Sequence, residues 1–245
     1  MTPGVFALLV GAGVAAGLSG SIAGLASLFS YPALLAAGLP ATSANVTNTV
    51  SLAVGSVSSI TSSRPELVGQ AGTARKLGAI CAVGGAAGAG LLLLTPPGLF
   101  TRIVPFLVAG SSVLLLLSRR NRVPLGTPMP APPGPPRRRP GVLVGVLAVS
   151  VYGGYFGAAA GLPETLMRVN ALKNVLLGLA NVIAAVGFAV FGPVSWLAVV
   201  PLTIGLLLGS WFGPPVVRRL PANLLRIGIA VAGIGLAVKL GLDGY

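Results

Sequence analysis

Two long runs of this 245-residue chain contain no charged side chain, and they constrain its fold more than any other feature. Residues 1–63 and 174–216 lack Asp, Glu, Lys and Arg. A helical membrane crossing needs about 20 apolar residues, so the first run can hold three crossings, or two and a re-entrant piece. No strand-like alternation appears, and lipid offers the backbone no hydrogen-bond partner, so helices must form the spans. The sequence therefore predicts an all-α polytopic membrane protein with about seven to eight transmembrane helices.

The charges are strongly biased towards lysine and arginine. There are 16 basic and 3 acidic residues, which gives a formal net charge of +13. Basic residues concentrate in residues 64–76 and 118–140, between apolar runs, where retention on the cytoplasmic side is the usual cause. This set comprises Arg64, Arg75, Lys76, Arg119, Arg120, Arg122, Arg137, Arg138 and Arg139. We therefore predict that both segments face the cytoplasm, and we expect no nucleic-acid partner.

The chain reads as two weak copies of one unit, each with broken helices. Segment 44–50 (ANVTNTV) aligns with 169–175 (VNALKNV), and residues 88–117 resemble residues 209–240. The predicted organisation is a first transmembrane repeat (1–117), an Arg- and Pro-rich cytoplasmic linker (118–140) and a second transmembrane repeat (141–245). In the first copy, residues 17–20 (GLSG) allow a helix break, and Pro32 should kink the following piece.

The stretch between the Gly-rich segment and the aligned Asn is shorter in the second copy than in the first. If Gly20 matches Gly154, then 25 residues separate Gly20 from Asn45, but only 16 separate Gly154 from Asn170. The second copy should consequently lack most of the second half of the broken helix, with only a short connection at residues 161–164.

The aligned polar segments supply the candidate substrate site, because transporters built from repeats commonly bind substrate between the copies. Lys173 can neutralise an anion, and the neighbouring amides can donate hydrogen bonds to it. Glycines could admit backbone amides to the anion. The candidate substrate-binding residues are Asn45, Asn48, Thr49, Asn170, Lys173, Asn174, Gly20 and Gly154. The alternative is that Lys173 snorkels to the interface, while the Asn residues join helices and the glycines allow close packing.

Other function classes have little support in the sequence. The chain has one cysteine, Cys81, and no histidine, so a Cys/His metal cluster is excluded and no cofactor is expected. An intramembrane serine hydrolase is a weak alternative, because no G-x-S-x-G motif occurs. A membrane scaffold without transport activity is the other alternative. We therefore predict that the chain is not an enzyme and that its partners are the bilayer and a small anion; its oligomeric state stays open.

Seven motifs together resemble the TauE/SafE family, also called the sulfite exporter or TSUP permease family. They are residues 17–20 (GLSG), 31–34 (YPAL), 38–40 (GLP), 44–49 (ANVTNT), 152–157 (YGGYFG), 170–174 (NALKN) and 191–194 (FGPV). The resemblance covers nearly the whole chain except the linker. It implies a bacterial inner-membrane permease for small anions, typically sulfite, sulfonates or related organosulfur acids. The shortened second copy departs from the symmetric arrangement that this family implies.

Overall fold

The computed structural model describes residues 1–23, 26–62, 71–117, 140–156 and 167–219, and six further positions between 231 and 242. Within these ranges every regular element is an α-helix. The elements are α1 Pro3–Ala23, α2 Ser27–Ala36, α3 Ala41–Ser62, α4 Ala71–Leu94, α5 Pro97–Leu117, α6 Pro140–Phe156, α7 Met167–Phe191 and α8 Trp196–Arg219. The described part contains no strand, so the all-α prediction is confirmed, and the arrangement fits a polytopic membrane protein.

The described helices present apolar side chains outwards as well as inwards. Windows of 18 residues long and apolar enough to cross a membrane lie in α1 (Pro3–Gly20) and α4 (Leu77–Leu94), and shorter apolar stretches occupy α2 and α5 to α8. On α8, Trp196 and Trp211 are 57% and 75% exposed. Fifteen residues of helix place them roughly 22 Å apart along the axis, and Trp is enriched where a helix meets the two membrane surfaces. This face of α8 therefore suits a lipid environment.

The break between α1 and α2 lies later than predicted. Helix α1 continues through residues 17–20 to Ala23, and α2 begins at Ser27 with Pro32 inside it. Its end is a tight turn in which Gly38 has a φ of 89° and donates to Leu35 O at 2.9 Å, while Leu39 donates to Leu34 O at 3.1 Å. Glycine is favoured there because a side chain disfavours the left-handed conformation. The first copy thus has the predicted broken pair, whereas residues 157–166 of the second copy lie outside the described part.

Glycines bring α1 and α8 into backbone contact. A Cβ on Gly13 would lie 2.9 Å from the Cα of Gly205, and a Cβ on Gly17 would lie 2.6 Å from the backbone nitrogen of Ser210. Contacts this close exist only because the side chains are missing. Small residues at four-residue spacing hold membrane helices together by letting their backbones approach. The glycines at residues 17–20, interpreted from sequence as a break, therefore include a packing residue.

The same arrangement recurs between α4 and α6. A Cβ on Gly88 would lie 2.7 Å from the backbone nitrogen of Tyr155, and one on Gly154 would lie 2.8 Å from the Cα of Gly85. Gly154 approaches the carbonyl of Gly85, just as Gly17 approaches the carbonyl of Leu206. Because Gly154 and Gly17 make equivalent contacts with a backbone carbonyl of the partner helix, Gly154 corresponds to Gly17 and not to Gly20. Counted from Gly17, the first copy is 12 residues longer than the second up to the aligned Asn, instead of nine.

Helices α3 and α7 pack against each other. Helix α3 also packs against α8, and α7 also packs against α4. Between α3 and α8, Gly55 faces the side chain of Leu206. Between α4 and α7, Gly85 faces the backbone of Ala180. Gly55 and Ala180 are 125 positions apart, and so are Asn45 and Asn170. The spacing of these two contact residues therefore equals the spacing in the alignment of residues 44–50 with residues 169–175.

Candidate functional site

The amino-terminal half of α3 carries a dense group of buried polar side chains. Asn45, Thr47, Asn48, Thr49 and Ser51 all have no exposed surface. Burying such groups is costly unless each one finds a hydrogen-bond partner. The partners of these side chains therefore show what each residue does in this state of the protein.

Asn48 joins α3 to α2. Its Nδ2 donates to Ser27 Oγ at 3.1 Å, and its Oδ1 accepts from Ser30 Oγ at 2.5 Å. Both ends of the amide are engaged, so Asn48 acts here as the interhelical contact that the alternative interpretation predicts. Thr49 is also engaged, because its hydroxyl donates to the carbonyl of Asn45 at 3.0 Å.

Asn45 crosses from the first half of the chain to the second. Its Nδ2 donates at 2.8 Å to the carbonyl oxygen of Tyr155, in the last turn of α6. A carbonyl oxygen can only accept, so the amide nitrogen must face it, and this fixes the orientation of the amide. The other end, Oδ1, is buried and has no hydrogen-bond partner. Among the five buried polar residues above, Asn45 thus keeps unused hydrogen-bonding capacity.

Two further residues of α3 hold the connection between α7 and α8. Ser43 Oγ donates to Pro193 O at 2.7 Å, and Thr47 Oγ1 accepts from the backbone N–H of Ser195 at 3.0 Å. The second bond satisfies a donor at the start of α8, which begins at Trp196. Neither Thr42 nor Ser43 caps the start of α3 with its side chain, because Ser43 turns to Pro193 and Thr42 Oγ1 has no partner. The only sign of these two contacts in the sequence is that Ser43 and Thr47 are four residues apart and so lie on the same face of a helix.

The two candidate glycines have helix-packing contacts. Gly154 lies against the backbone of Gly85, and a Cβ on Gly20 would lie 3.1 Å from the Cβ of Ala26, just before α2. Neither glycine lines the apolar groove beside α6. The cavity described next to α6 is an apolar groove of about 480 Å³, lined by Leu91, Val144, Leu147, Ala148, Val151, Tyr152 and Tyr155.

The lysine half of the candidate site lies at the other end of α7. The side chains of Asn170, Lys173 and Asn174 lie outside the described residues, whereas the α7 backbone is continuous from Met167 to Phe191. Gly192, which follows α7, faces Val46. Eighteen residues of helix between Lys173 and Phe191 span roughly 27 Å. The structure therefore does not bring Lys173 and Asn45 together, since a lysine side chain cannot bridge that length.

Comparison with known proteins identifies relatives along the whole chain. Residues 9–240 match the family described as "Sulfite exporter TauE/SafE". The "Probable membrane transporter protein YfcA" of Escherichia coli K12 is 26% identical over 262 aligned positions, which cover 100% of this chain and 93% of that protein. The proteins of the same name from E. coli O6:H1 and O157:H7 match with the same identity and coverage. No solved structure matches significantly.

Proposed function

The chain belongs to the TauE/SafE sulfite exporter family and is a membrane transporter, not an enzyme, and from this premise we propose that it is an inner-membrane permease for small oxyanions. The substrate class is sulfite, a sulfonate or a related organosulfur acid. The observation that carries the proposal is the family match over residues 9–240, which includes the polar segments of both halves.

The anion is held at the start of α7. Lys173 lies in the second turn of this helix, next to a run of 44 residues (174–217) without formal charge. A lysine costs up to about 2.5–3.5 kcal/mol on insertion scales, the value for the centre of a membrane helix, and a bound anion would offset such a cost. The positive end of the α7 dipole adds to the same field, and the amides of Asn170 and Asn174 are donors close in sequence.

We assign the α3 segment a different role, and two observations support this choice. Asn48 and Thr49 have their polar groups engaged within α2 and α3. Asn45 lies near the opposite end of α7, about the thickness of the hydrocarbon core away from Lys173. The proposal therefore assigns the anion to Asn170, Lys173 and Asn174, and it assigns Asn48 and Thr49 to holding α2 and α3 in place.

Anion flux into proteoliposomes tests the proposal. Purified protein should carry radiolabelled sulfite or a sulfonate, and Lys173→Met, which keeps the side-chain volume and removes the charge, should abolish that flux. Lys173→Arg should retain part of it with an altered substrate preference, because guanidinium presents a planar fork. Lys76→Met is the matched control, since it makes the same change in a segment assigned no substrate, and its flux should equal that of wild type.

The alternatives give different results in the same assay. A scaffold would carry none of the anions in a panel of sulfur oxyanions, carboxylates and phosphate. A lysine that only snorkels would leave Lys173→Met as active as wild type, which would remove Lys173 from the mechanism while leaving transport intact.

A further inference from the structure

Two buried oxygens on one face of α3 lack a hydrogen-bond partner. Among the described side chains the buried, unpartnered polar atoms are Thr42 Oγ1, Asn45 Oδ1 and Thr203 Oγ1. Thr42 and Asn45 are three residues apart on α3, so they lie on the same face, one turn apart. Nine in ten or more buried polar groups in proteins are paired. Two such oxygens one helical turn apart in a transporter therefore indicate a site for something that donates to, or is attracted by, oxygen.

Asn45 Oδ1 lies close to the carbonyl oxygen of Tyr155. Asn45 Nδ2 is 2.8 Å from the carbonyl oxygen of Tyr155, and the amide geometry places Asn45 Oδ1 within roughly 5 Å of that oxygen. Tyr155 lies in the last turn of α6, and the carboxyl end of a helix carries partial negative charge. Asn45 Oδ1 can only accept. These oxygens attract a cation and repel an anion, and they oppose the partial positive charge that the amino end of α3 contributes at Thr42.

The chemistry of the two side chains narrows the kind of cation. Neither an amide nor a hydroxyl takes up a proton near neutral pH, so the site cannot store a coupling proton. Divalent cations are usually bound through carboxylates, and the described residues contain no cluster of acidic or other metal-binding side chains. Neutral oxygens suit an alkali cation. Asn45 has no exposed surface, so a small ion fits better than a large one.

We infer that Thr42 and Asn45, at the carboxyl end of α6, form a binding site for sodium. Transporters generally place such ions where helix carboxyl ends and free oxygens converge. Its role as the coupling ion for anion movement rests on the function proposed above, whereas the binding itself does not. Because Asn45 bonds to α6 while Thr42 and Asn45 belong to α3, sodium would stabilise the contact between the two halves of the chain.

Thermal unfolding of the purified protein in detergent, with chloride present and no anion of the proposed substrate class, tests the site. Sodium chloride is titrated against choline chloride at constant total chloride, with potassium chloride as a third series. A ligand that binds only the folded protein should raise the melting temperature by about 5–10 °C at one hundred times its dissociation constant. We expect this saturating rise with sodium and a weaker one with potassium. Equal melting curves in sodium and choline, or equal responses to sodium and potassium, would overturn the inference.

Two matched variants locate the effect. Thr42→Val removes one oxygen, keeps the side-chain shape and leaves the bond between Asn45 and Tyr155 untouched, so the apparent sodium dissociation constant should rise at least tenfold. Thr203→Val makes the same change at an unpartnered hydroxyl on α8 and should leave that constant unchanged. A sodium response in Thr42→Val equal to wild type would exclude Thr42 and sink the assignment. Sodium binding without anion flux would instead refute the transport proposal alone, and flux without a sodium response would refute this site alone.

Discussion

The backbone contact between α4 and α6 predicts a sharp difference between two alanine substitutions on one helix. In Gly88→Ala the new Cβ would lie 2.7 Å from the backbone nitrogen of Tyr155, well inside the 3.4 Å at which ordinary contact begins. The backbone cannot rotate away, so α4 and α6 must separate by several tenths of an ångström or more. Overpacking of this kind costs about 1–3 kcal/mol.

Gly90→Ala is the matched control, because a Cβ at Gly90 meets no atom within 4 Å. Both substitutions gain up to about 1 kcal/mol of helix propensity, so the difference between the two variants isolates the overpacking. At about 2–4 °C per kcal/mol, Gly88→Ala should melt roughly 2–12 °C below Gly90→Ala. Fluorescence-detected unfolding in detergent measures this difference. Equal melting temperatures would show that α4 and α6 do not meet through their backbones.

Further predictions concern the other seam, the α3 network and the orientation. Gly13→Ala should likewise melt below Gly11→Ala, because only Gly13 faces the backbone of α8; equal melting would contradict that contact. Asn48→Leu should lower the free energy of unfolding by about 1–3 kcal/mol, since it leaves Ser27 and Ser30 without their shared partner, and an unfolding curve like that of wild type would argue against the network. A cysteine at Gly126 in a Cys81→Ser background should resist membrane-impermeant thiol reagents in intact cells, because the basic linker should be cytoplasmic; labelling from outside would reverse the predicted orientation.

The sequence predicted the broken pair of helices in the first half and the polar segment of α3 through simple local rules. Charge-free runs of this length are typical of membrane-embedded helices. Pro32 lies inside α2, and Gly38 lies in the turn that ends it. The break itself was placed too early, because glycines at four-residue spacing serve equally for a break or for helix packing. Only the partner helix distinguishes the two, and for Gly17 that partner is α8.

The use of each candidate site residue was harder to predict, because it depends on atoms far away in the chain. Nothing near Asn48 in sequence indicates that Ser27 and Ser30 engage its amide. Asn45 is an equally typical amide in sequence, yet it faces a carbonyl oxygen and so offers an acceptor where a donor was expected. The alignment of the two copies placed Asn45 and Lys173 in equivalent segments, but equivalence in an alignment does not imply proximity along a continuous helix.

The pairing of α1 with α8 has a consequence for how the protein is made. Gly13 and Gly205 are 192 residues apart, whereas Gly84 and its contact Ser150 are 66 residues apart. At about 5–20 residues per second of synthesis, α1 would wait roughly 10–40 s in the membrane for its partner, while α4 would wait only about a third as long. The α4 and α6 seam should therefore assemble first and hold the nascent chain together. During the remaining delay Gly13 and Gly17 of α1 would be open to lipid and to the α1 helices of other copies.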